Sequence, residues 1–304
     1  MRVEALKSNR LEEFIDYCRK HRAEVDDSFL YDEDLREFEP NAENPTYIVV
    51  DDNELIIAAA SLIINEYHRR GKKGRFRIFH SEVSEAQVYN KLLEAILRHT
   101  EGLGKIFVFM HTDDSSAIEI IEELKFTIER YSFFLVREDL EVQSFKLPEG
   151  YEIKPFKAGE HEKDWCEVRN QAFAKLKGSE TPITLEMVSK MISDSDSIEG
   201  AAMLLYHKEV PVGVIRGALD EYEGTQTMNI GPVAIIPEYQ GKGLGRCLLR
   251  AILRFAKDNN FRMTSLCVNG DNERAKSLYL QEGFKQVEAV VCYDYHIKRS
   301  KSES

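Results

Sequence analysis

The chain has 304 residues, of which 43% are hydrophobic and 31% charged; this is a globular composition with enough length for two domains. The longest nearly apolar run covers residues 55–64, which excludes a helix of about 20 apolar residues that could span a membrane. The formal charge is −11 over residues 1–150 and −1 over residues 151–304, so an anionic ligand is expected in the second half.

In the first half, apolar spacing predicts a helix over residues 11–21 and strands over residues 47–51 and 55–65. The basic segment at residues 68–77 is predicted to be a solvated hairpin turn between strands, and we expect no nucleic-acid partner. Proline and glycine near residue 148 mark a boundary, which predicts domains at residues 1–146 and 147–304.

The second half alternates helices and strands. We predict helices over residues 161–174 and 184–192, a hairpin of strands 202–207 and 212–218, a strand over 228–236, a helix over 244–257, a strand over 262–268, a helix over 272–281 and a strand over 287–296. Strands separated by helices imply right-handed crossovers, so the fold class is α/β.

An internal repeat relates the two halves. The run LLEAILR at residues 92–98 matches LLRAILR at residues 248–254 in six of seven positions. The repeat predicts two copies of one fold, each with a mixed twisted sheet flanked by helices.

The spacing of cysteines and histidines matches neither a disulfide framework nor a metal-binding motif. The five cysteines are odd in number and form no C-x-x-C pair, and the eight histidines form no H-x-x-x-H pair. We therefore expect no metal site. The first residues lack the apolar core of a signal peptide, so we expect a cytoplasmic protein.

A glycine-rich loop is the most informative motif. An apolar strand ends near Ile236, and Gly241, Gly243 and Gly245 alternate before an amphipathic helix. Backbone N–H groups of such a loop and the helix N-terminus together form a cradle for a pyrophosphate. The G-x-G-x-G spacing matches neither the Walker loop nor the dinucleotide fingerprint.

The loop, residues 240–245, resembles the Q/R-x-x-G-x-G/A loop of the GCN5-related N-acetyltransferase (GNAT) superfamily. Residues 269–284 resemble that family's later N-x-x-A-x-x-L/Y-Y-x-x-x-G-F signature, and the whole chain is most similar to the tandem-domain, mycothiol-synthase-like branch. The resemblance implies two tandem GNAT folds with acetyl-CoA as co-substrate, bound between two splayed parallel strands. The cofactor contacts that it implies are Val233, Ala234, Ile235, Gln240, Gly241, Lys242, Gly243, Leu244, Gly245, Arg246 and Asn272.

The resemblance also implies catalytic roles. Tyr279 would donate a proton to the departing CoA thiolate, although an ordinary core tyrosine is the alternative. Backbone N–H groups around Val233 would polarise the thioester carbonyl. The branch carries a glutamate on the strand before the loop, where this chain has Asn229. Among the acids of the nearby turn we choose Glu223 as the base, acting directly or through water.

The first copy has lost the loop. The repeat offset places Glu85, Gln87 and Tyr89 where the second copy has its three glycines, and Ile121 where it has Tyr279. We expect that this half does not bind CoA.

The sequence thus predicts an enzyme that acetylates a primary amine of a small molecule. A peptide or protein N-acetyltransferase and a catalytically silent acyl-CoA-binding module stay open as alternatives. No membrane partner is expected, and self-association into a homo-oligomer stays open.

Overall fold

The computed structural model describes residues 1–139 and 141–298, which divide into two compact units. The first unit comprises Met1–Tyr131 together with the segment that starts at Ala289, and the second comprises Ser132–Glu288. No helix in the described ranges combines the length and the apolar character that crossing a membrane requires.

The regular elements alternate along the chain. In chain order the strands are β1 (Arg2–Ala5), β2 (Thr46–Val50), β3 (Ile56–Ile63), β4 (Lys73–Ser81), β5 (Lys105–His111), β6 (Thr127–Arg137), β7 (Tyr151–Pro155), β8 (Ser197–His207), β9 (Val210–Tyr222), β10 (Thr225–Ile235), β11 (Thr264–Asn269) and β12 (Lys285–His296). The helices are α1 (Leu11–His21), α2 (Asp32–Arg36), α3 (Glu66–Arg70), α4 (Ala86–Leu97), α5 (Ser115–Glu123), α6 (Glu162–Phe173), α7 (Leu185–Ser193), α8 (Leu244–Asp258) and α9 (Glu273–Gln281).

The two units repeat one sheet topology. In the first unit, β1 to β4 pair antiparallel in sequence, β4 and β5 pair parallel, and β12 pairs antiparallel with β5. In the second unit, β7 to β10 pair antiparallel, β10 and β11 pair parallel, and β6 pairs antiparallel with β11. The mixed sheets with crossover helices confirm the predicted α/β class.

The strand that closes each sheet comes from a distant part of the sequence. Val290–His296 of β12 pair with β5 in the first unit, whereas Ser132–Arg137 of β6 pair with β11 in the second. The compact units therefore change at residues 131/132 and 288/289, and not at the boundary of residues 146 and 147 that the sequence suggests.

Each unit has its own hydrophobic core. The apolar positions of α8 recur every three or four residues and are buried: Leu244, Leu248, Leu249, Ile252, Leu253 and Ala256. Each buried leucine or isoleucine contributes about 1.5–3 kcal/mol, so this face holds α8 on the sheet and fixes where the helix begins. The equivalent helix α4 buries its own stripe in the first unit.

The basic segment at residues 68–77 is not the predicted solvated hairpin turn. It contains the last residues of α3, whose N-terminus is capped by the Asn65 side chain, and the first half of β4. Arg75 and Arg77 lie in β4 with mostly buried side chains, where Arg75 pairs with Asp26 and Arg77 donates to the Phe29 carbonyl at 3.0 Å. Apolar residues between the charges, which favour a strand, explain the difference.

Candidate functional site in the second unit

A cleft opens where β10 and β11 separate. Their parallel pairing covers only Met228 with Thr264 and Asn229 with Ser265, although β10 continues to Ile235. Along the other edge of β10, the register with β9 shifts between Ile230 and Val233. The shift falls at Gly231–Pro232, whose peptide bond is cis, and proline has no N–H to give to a ladder. The register shift is a β-bulge in β10.

The glycine-rich loop lies between β10 and α8. Gly241 and Gly243 have φ values of 83° and 78°, in the left-handed region that side chains rarely adopt. A Cβ atom built on Gly243 would meet nothing within 4 Å, so the loop leaves open space at this point. The Gln240 side chain donates to the Ile235 carbonyl at 2.9 Å and ties the loop to the strand.

The start of α8 supplies hydrogen-bond donors. Its first helical hydrogen bonds run from the N–H groups of Arg246 and Cys247 to the Gly243 carbonyl, at 3.1 and 3.2 Å. The N–H groups before them have no acceptor within the helix, and the helix dipole makes this end partially positive. The geometry suits a phosphate group.

Helix α9 forms the opposite wall. Asn272 caps it by accepting a hydrogen bond from the Ala275 N–H at 3.2 Å, so its amide fixes where the helix begins. Tyr279 lies two turns further on, is only 7% exposed, and packs edge-on against Phe284. Burial raises the pKa of Tyr279 to about 12, so its hydroxyl keeps its proton at neutral pH.

Together these elements surround a cavity of about 420 Å³. Its lining comprises Val233, Ile235, Tyr239, Gln240, Gly241, Gly243, Leu244, Gly245, Arg246, Asn272, Arg274, Ala275, Ser277, Leu278, Tyr279 and Gln281. Of the predicted cofactor-contact residues, Ala234 is instead buried in the core, and Lys242 places its ammonium 4.6 Å from the centre of the Tyr239 ring. The other predicted contact residues, and Tyr279, lie around this one cavity.

The walls of the cavity are basic. Arg246 donates to the Gln281 amide oxygen at 2.5 Å and lies 3.1 Å from a Glu282 carboxylate oxygen. Arg274, which the sequence reasoning missed, reaches the loop, with Nη2 3.4 Å from a Cβ built on Gly241. Its position two residues after Asn272, in the first turn of α9, could have indicated that it faces the loop. Among the lining residues of the described chain there is no carboxylate and no imidazole.

Glu223 is not brought to this cavity. It lies with Gly224 in the exposed turn between β9 and β10, at φ 50°. Val233 lies eight steps along the strand from Thr225, which is about 26 Å at 3.3 Å per residue. Asn229 and Ser265 form the last residue pair before the splay, and the Asn229 side chain donates to the Ser265 hydroxyl at 3.1 Å.

The first unit contains a matching cleft of opposite charge. Its parallel strands β4 and β5 pair only from Lys73 to Arg75, although β4 continues to Ser81. A cavity of about 550 Å³ lies there, and its lining includes the carboxylates Glu24, Glu82, Asp113 and Asp114. Within the described chain this lining includes no lysine or arginine.

Comparisons with known proteins agree with this geometry. Residues 163–284 match the acetyltransferase (GNAT) family model. The mycothiol acetyltransferase of Kytococcus sedentarius is 25% identical over 219 residues, which are 70% of this chain and 72% of that protein. The one from Saccharomonospora viridis is 27% identical over 248 residues, covering 77% and 73% of the two chains.

Solved structures show the same fold over the full length. A GCN5-related N-acetyltransferase from Sphaerobacter thermophilus superposes with a TM-score of 0.73 at 17% identity, covering 98% of this chain and 96% of that one. A tandem GNAT protein from the clavulanic acid biosynthesis pathway gives a TM-score of 0.69 at 11% identity, covering 99% of both. Residues 163–284 are therefore a GNAT acetyltransferase domain, and the protein is an N-acetyltransferase with a tandem GNAT fold.

Proposed function

We propose that the protein transfers an acetyl group from acetyl-CoA to a primary amine of a small molecule, and that only the second unit carries the site. The observation that carries this proposal is the charge of two equivalent cavities. The cavity of the second unit has arginines and a glycine loop, whereas that of the first unit has four carboxylates. CoA carries several phosphate charges, so Coulomb repulsion disfavours the first cavity.

The residues of the second cavity fit acetyl-CoA. The open space at Gly243 and the N–H groups at the start of α8 would hold the pyrophosphate, with Arg246 and Arg274 nearby as cations. Acetyl-CoA supplies the activated acetyl thioester. The edge of β10 near Val233, beyond the end of its pairing with β11, would offer backbone N–H groups to the thioester carbonyl.

Tyr279 is proposed as the general acid. Its raised pKa keeps the hydroxyl protonated at neutral pH, and it lies on the wall of the cavity. A proton from this hydroxyl would neutralise the thiolate as the amine takes the acetyl group.

The amine must lose a proton before it can attack. Direct contact with Glu223 is excluded by its distance along the hairpin, so we propose that water accepts the proton. Asn229 and Ser265, hydrogen-bonded to each other at the start of the splay, would position the amine or that water. The mycothiol-synthase-like branch carries a glutamate where this chain has Asn229. We therefore do not assign the acceptor from the names of the mycothiol acetyltransferases.

The test is turnover by the full chain with acetyl-CoA and a panel of primary amines that includes amino sugars, polyamines and short peptides. CoA release is followed by chromatography, because the free cysteines would react with thiol dyes. We expect acetylated small amines, a loss of about a hundredfold or more in kcat for Tyr279→Phe, and an unchanged kcat for Glu223→Gln.

Full activity of Tyr279→Phe would remove this residue from the mechanism. Turnover of peptides alone would favour a peptide N-acetyltransferase. Acetyl-CoA binding without turnover of any amine would favour a silent acyl-CoA-binding module.

A further inference from the structure

Two histidines and a glutamate meet in the first unit, although the sequence separates them widely. His21 ends α1, Glu24 lies in the short turn that follows, and His80 lies near the end of β4. One ligand atom from each residue lies within 4.8 Å of the others. The histidines are 5% and 8% exposed, so packing holds their rings in place.

Glu24 bridges the two imidazoles. Its Oε1 lies 3.0 Å from His21 Nδ1, and its Oε2 lies 3.1 Å from His80 Nε2. A tetrahedral metal ion bound at about 2.1 Å holds its ligand atoms roughly 3.4 Å apart, so these nitrogen–oxygen distances need little change to accept an ion.

The outer nitrogen of each ring already has a partner. His21 Nε2 lies 2.9 Å from a Glu82 carboxylate oxygen, and His80 Nδ1 lies 2.8 Å from the Tyr17 hydroxyl. Metal-binding histidines usually make such an outer hydrogen bond, which fixes the tautomer and the ring orientation. Here both inner nitrogens face the same carboxylate, and both outer nitrogens are engaged elsewhere.

The cluster borders the acidic cavity. Glu24, His80 and Glu82 are among the residues that line the 550 Å³ space, and Asp113 and Asp114 line the same space. An ion held here would have space for water or another ligand beside its three protein ligands. Lys20 places its ammonium 2.6 Å from Glu82, and no lysine or arginine of the described residues forms an ion pair with Glu24.

We propose that His21, Glu24 and His80 bind a divalent transition-metal ion of the Zn²⁺ type, with Glu82 and Tyr17 as the outer hydrogen-bond partners. Two imidazole nitrogens and one carboxylate favour Zn²⁺, Co²⁺ or Ni²⁺ over Mg²⁺ and Ca²⁺, which prefer oxygen ligands. The ion ties the end of α1 to β4 and occupies the cleft that corresponds to the cofactor cleft of the second unit. The site is independent of acetyl transfer.

The test uses the full chain without a polyhistidine tag, stripped with a chelator and dialysed. Zn²⁺ binding is measured by calorimetry, and Co²⁺ binding by its visible absorption. We expect one equivalent of each metal and a thermal midpoint that rises with Zn²⁺. Glu24→Gln and His80→Gln should abolish binding at one equivalent, and Glu82→Gln should weaken it roughly 10–100-fold.

His99→Gln is the matched control, because His99 lies in the same unit and bonds only the Tyr47 hydroxyl among the side chains described. It should bind the metal like the parent. Because Glu24 is exposed, Glu24→Gln should fold normally. If His80→Gln is unstable, metal binding by Glu24→Gln alone tests the site. Absence of one-equivalent binding in the parent, or parent-like binding by Glu24→Gln, would overturn the site.

Discussion

Tyr279 differs from a tyrosine in water because it is buried. Burial disfavours the charged phenolate and raises the pKa from its ordinary value near 10 to about 12. At neutral pH the Tyr279 hydroxyl is therefore protonated and able to donate, and it loses its proton only as the pH rises through about 12.

This shift predicts the alkaline side of the pH–rate profile. Between pH 7 and pH 10, kcat should rise or level off as the amine substrate deprotonates, with no fall that depends on Tyr279. The measurement is kcat against pH for the parent chain with its best amine. A descending limb centred near pH 10 would show an unperturbed tyrosine and contradict the assignment.

Single residues differ in how far the sequence could reveal them. The glycines of the loop and Tyr279 belong to contiguous motifs, so the resemblance to the GNAT signatures assigned them to one site, and in the structure they line one cavity. Glu223 was chosen because it is close in sequence, but the hairpin carries it to the far end of β10. His21 ends helix α1 and His80 lies in strand β4, so only the packing of the helix on the sheet brings them together.

At the level of elements, a bidentate ion pair joins α8 to the end of α9. Arg250 donates through Nε and Nη2 to the two carboxylate oxygens of Glu282, both at 2.7 Å. The side chains of Glu282 and Arg250 are 5% and 12% exposed, and the Glu282 carbonyl also accepts from Arg137 at 2.7 Å. The two helices that form the walls of the cavity are thereby held together.

Glu282→Gln should lower the free energy of unfolding by about 3 kcal/mol, because the largely buried Arg250 loses its counter-charge. Urea denaturation of the full chain measures this change. Glu238→Gln removes an exposed carboxylate near the loop and should change the stability by less than about 0.5 kcal/mol. Equal stabilities for both variants would mean that the pair contributes nothing.

Strongly periodic elements were predictable and short edge elements were not. The helix predicted at residues 244–257 is α8, Leu244–Asp258, because its apolar stripe continues over four turns. Strands β1 and β7 have four and five residues, mostly half-exposed or exposed, and lack such a pattern. Local propensity is weak in such segments, and pairing with a neighbouring strand decides their structure.

At the scale of the whole molecule, the repeat was visible in the sequence but the course of the closing strands was not. β6 begins in the first unit, and its residues from Ser132 onward complete the sheet of the second; β12 begins in the second unit, and its residues from Val290 onward complete the sheet of the first. Such pairings join residues more than 100 positions apart, which no local pattern encodes. The sequence therefore predicted the two folds but not the segments that compose them.

The structure shows where the negative charge of the first half lies. The −11 of residues 1–150 is spread over the whole half, but four carboxylates are collected in the cleft where the repeat would otherwise bind CoA. We therefore propose that only the second of the two like folds binds CoA and that the carboxylates of the first exclude it.

Calorimetric titration of acetyl-CoA into the full chain measures how many CoA sites the protein has. We expect one equivalent for the parent chain, none for Gly243→Glu, and one for Gly224→Glu. Gly224 is the matched control, because it also has a positive φ and open space at its Cβ, but lies in the distant hairpin turn. Two equivalents in the parent, or binding that survives in Gly243→Glu, would contradict a single site at the loop of the second unit.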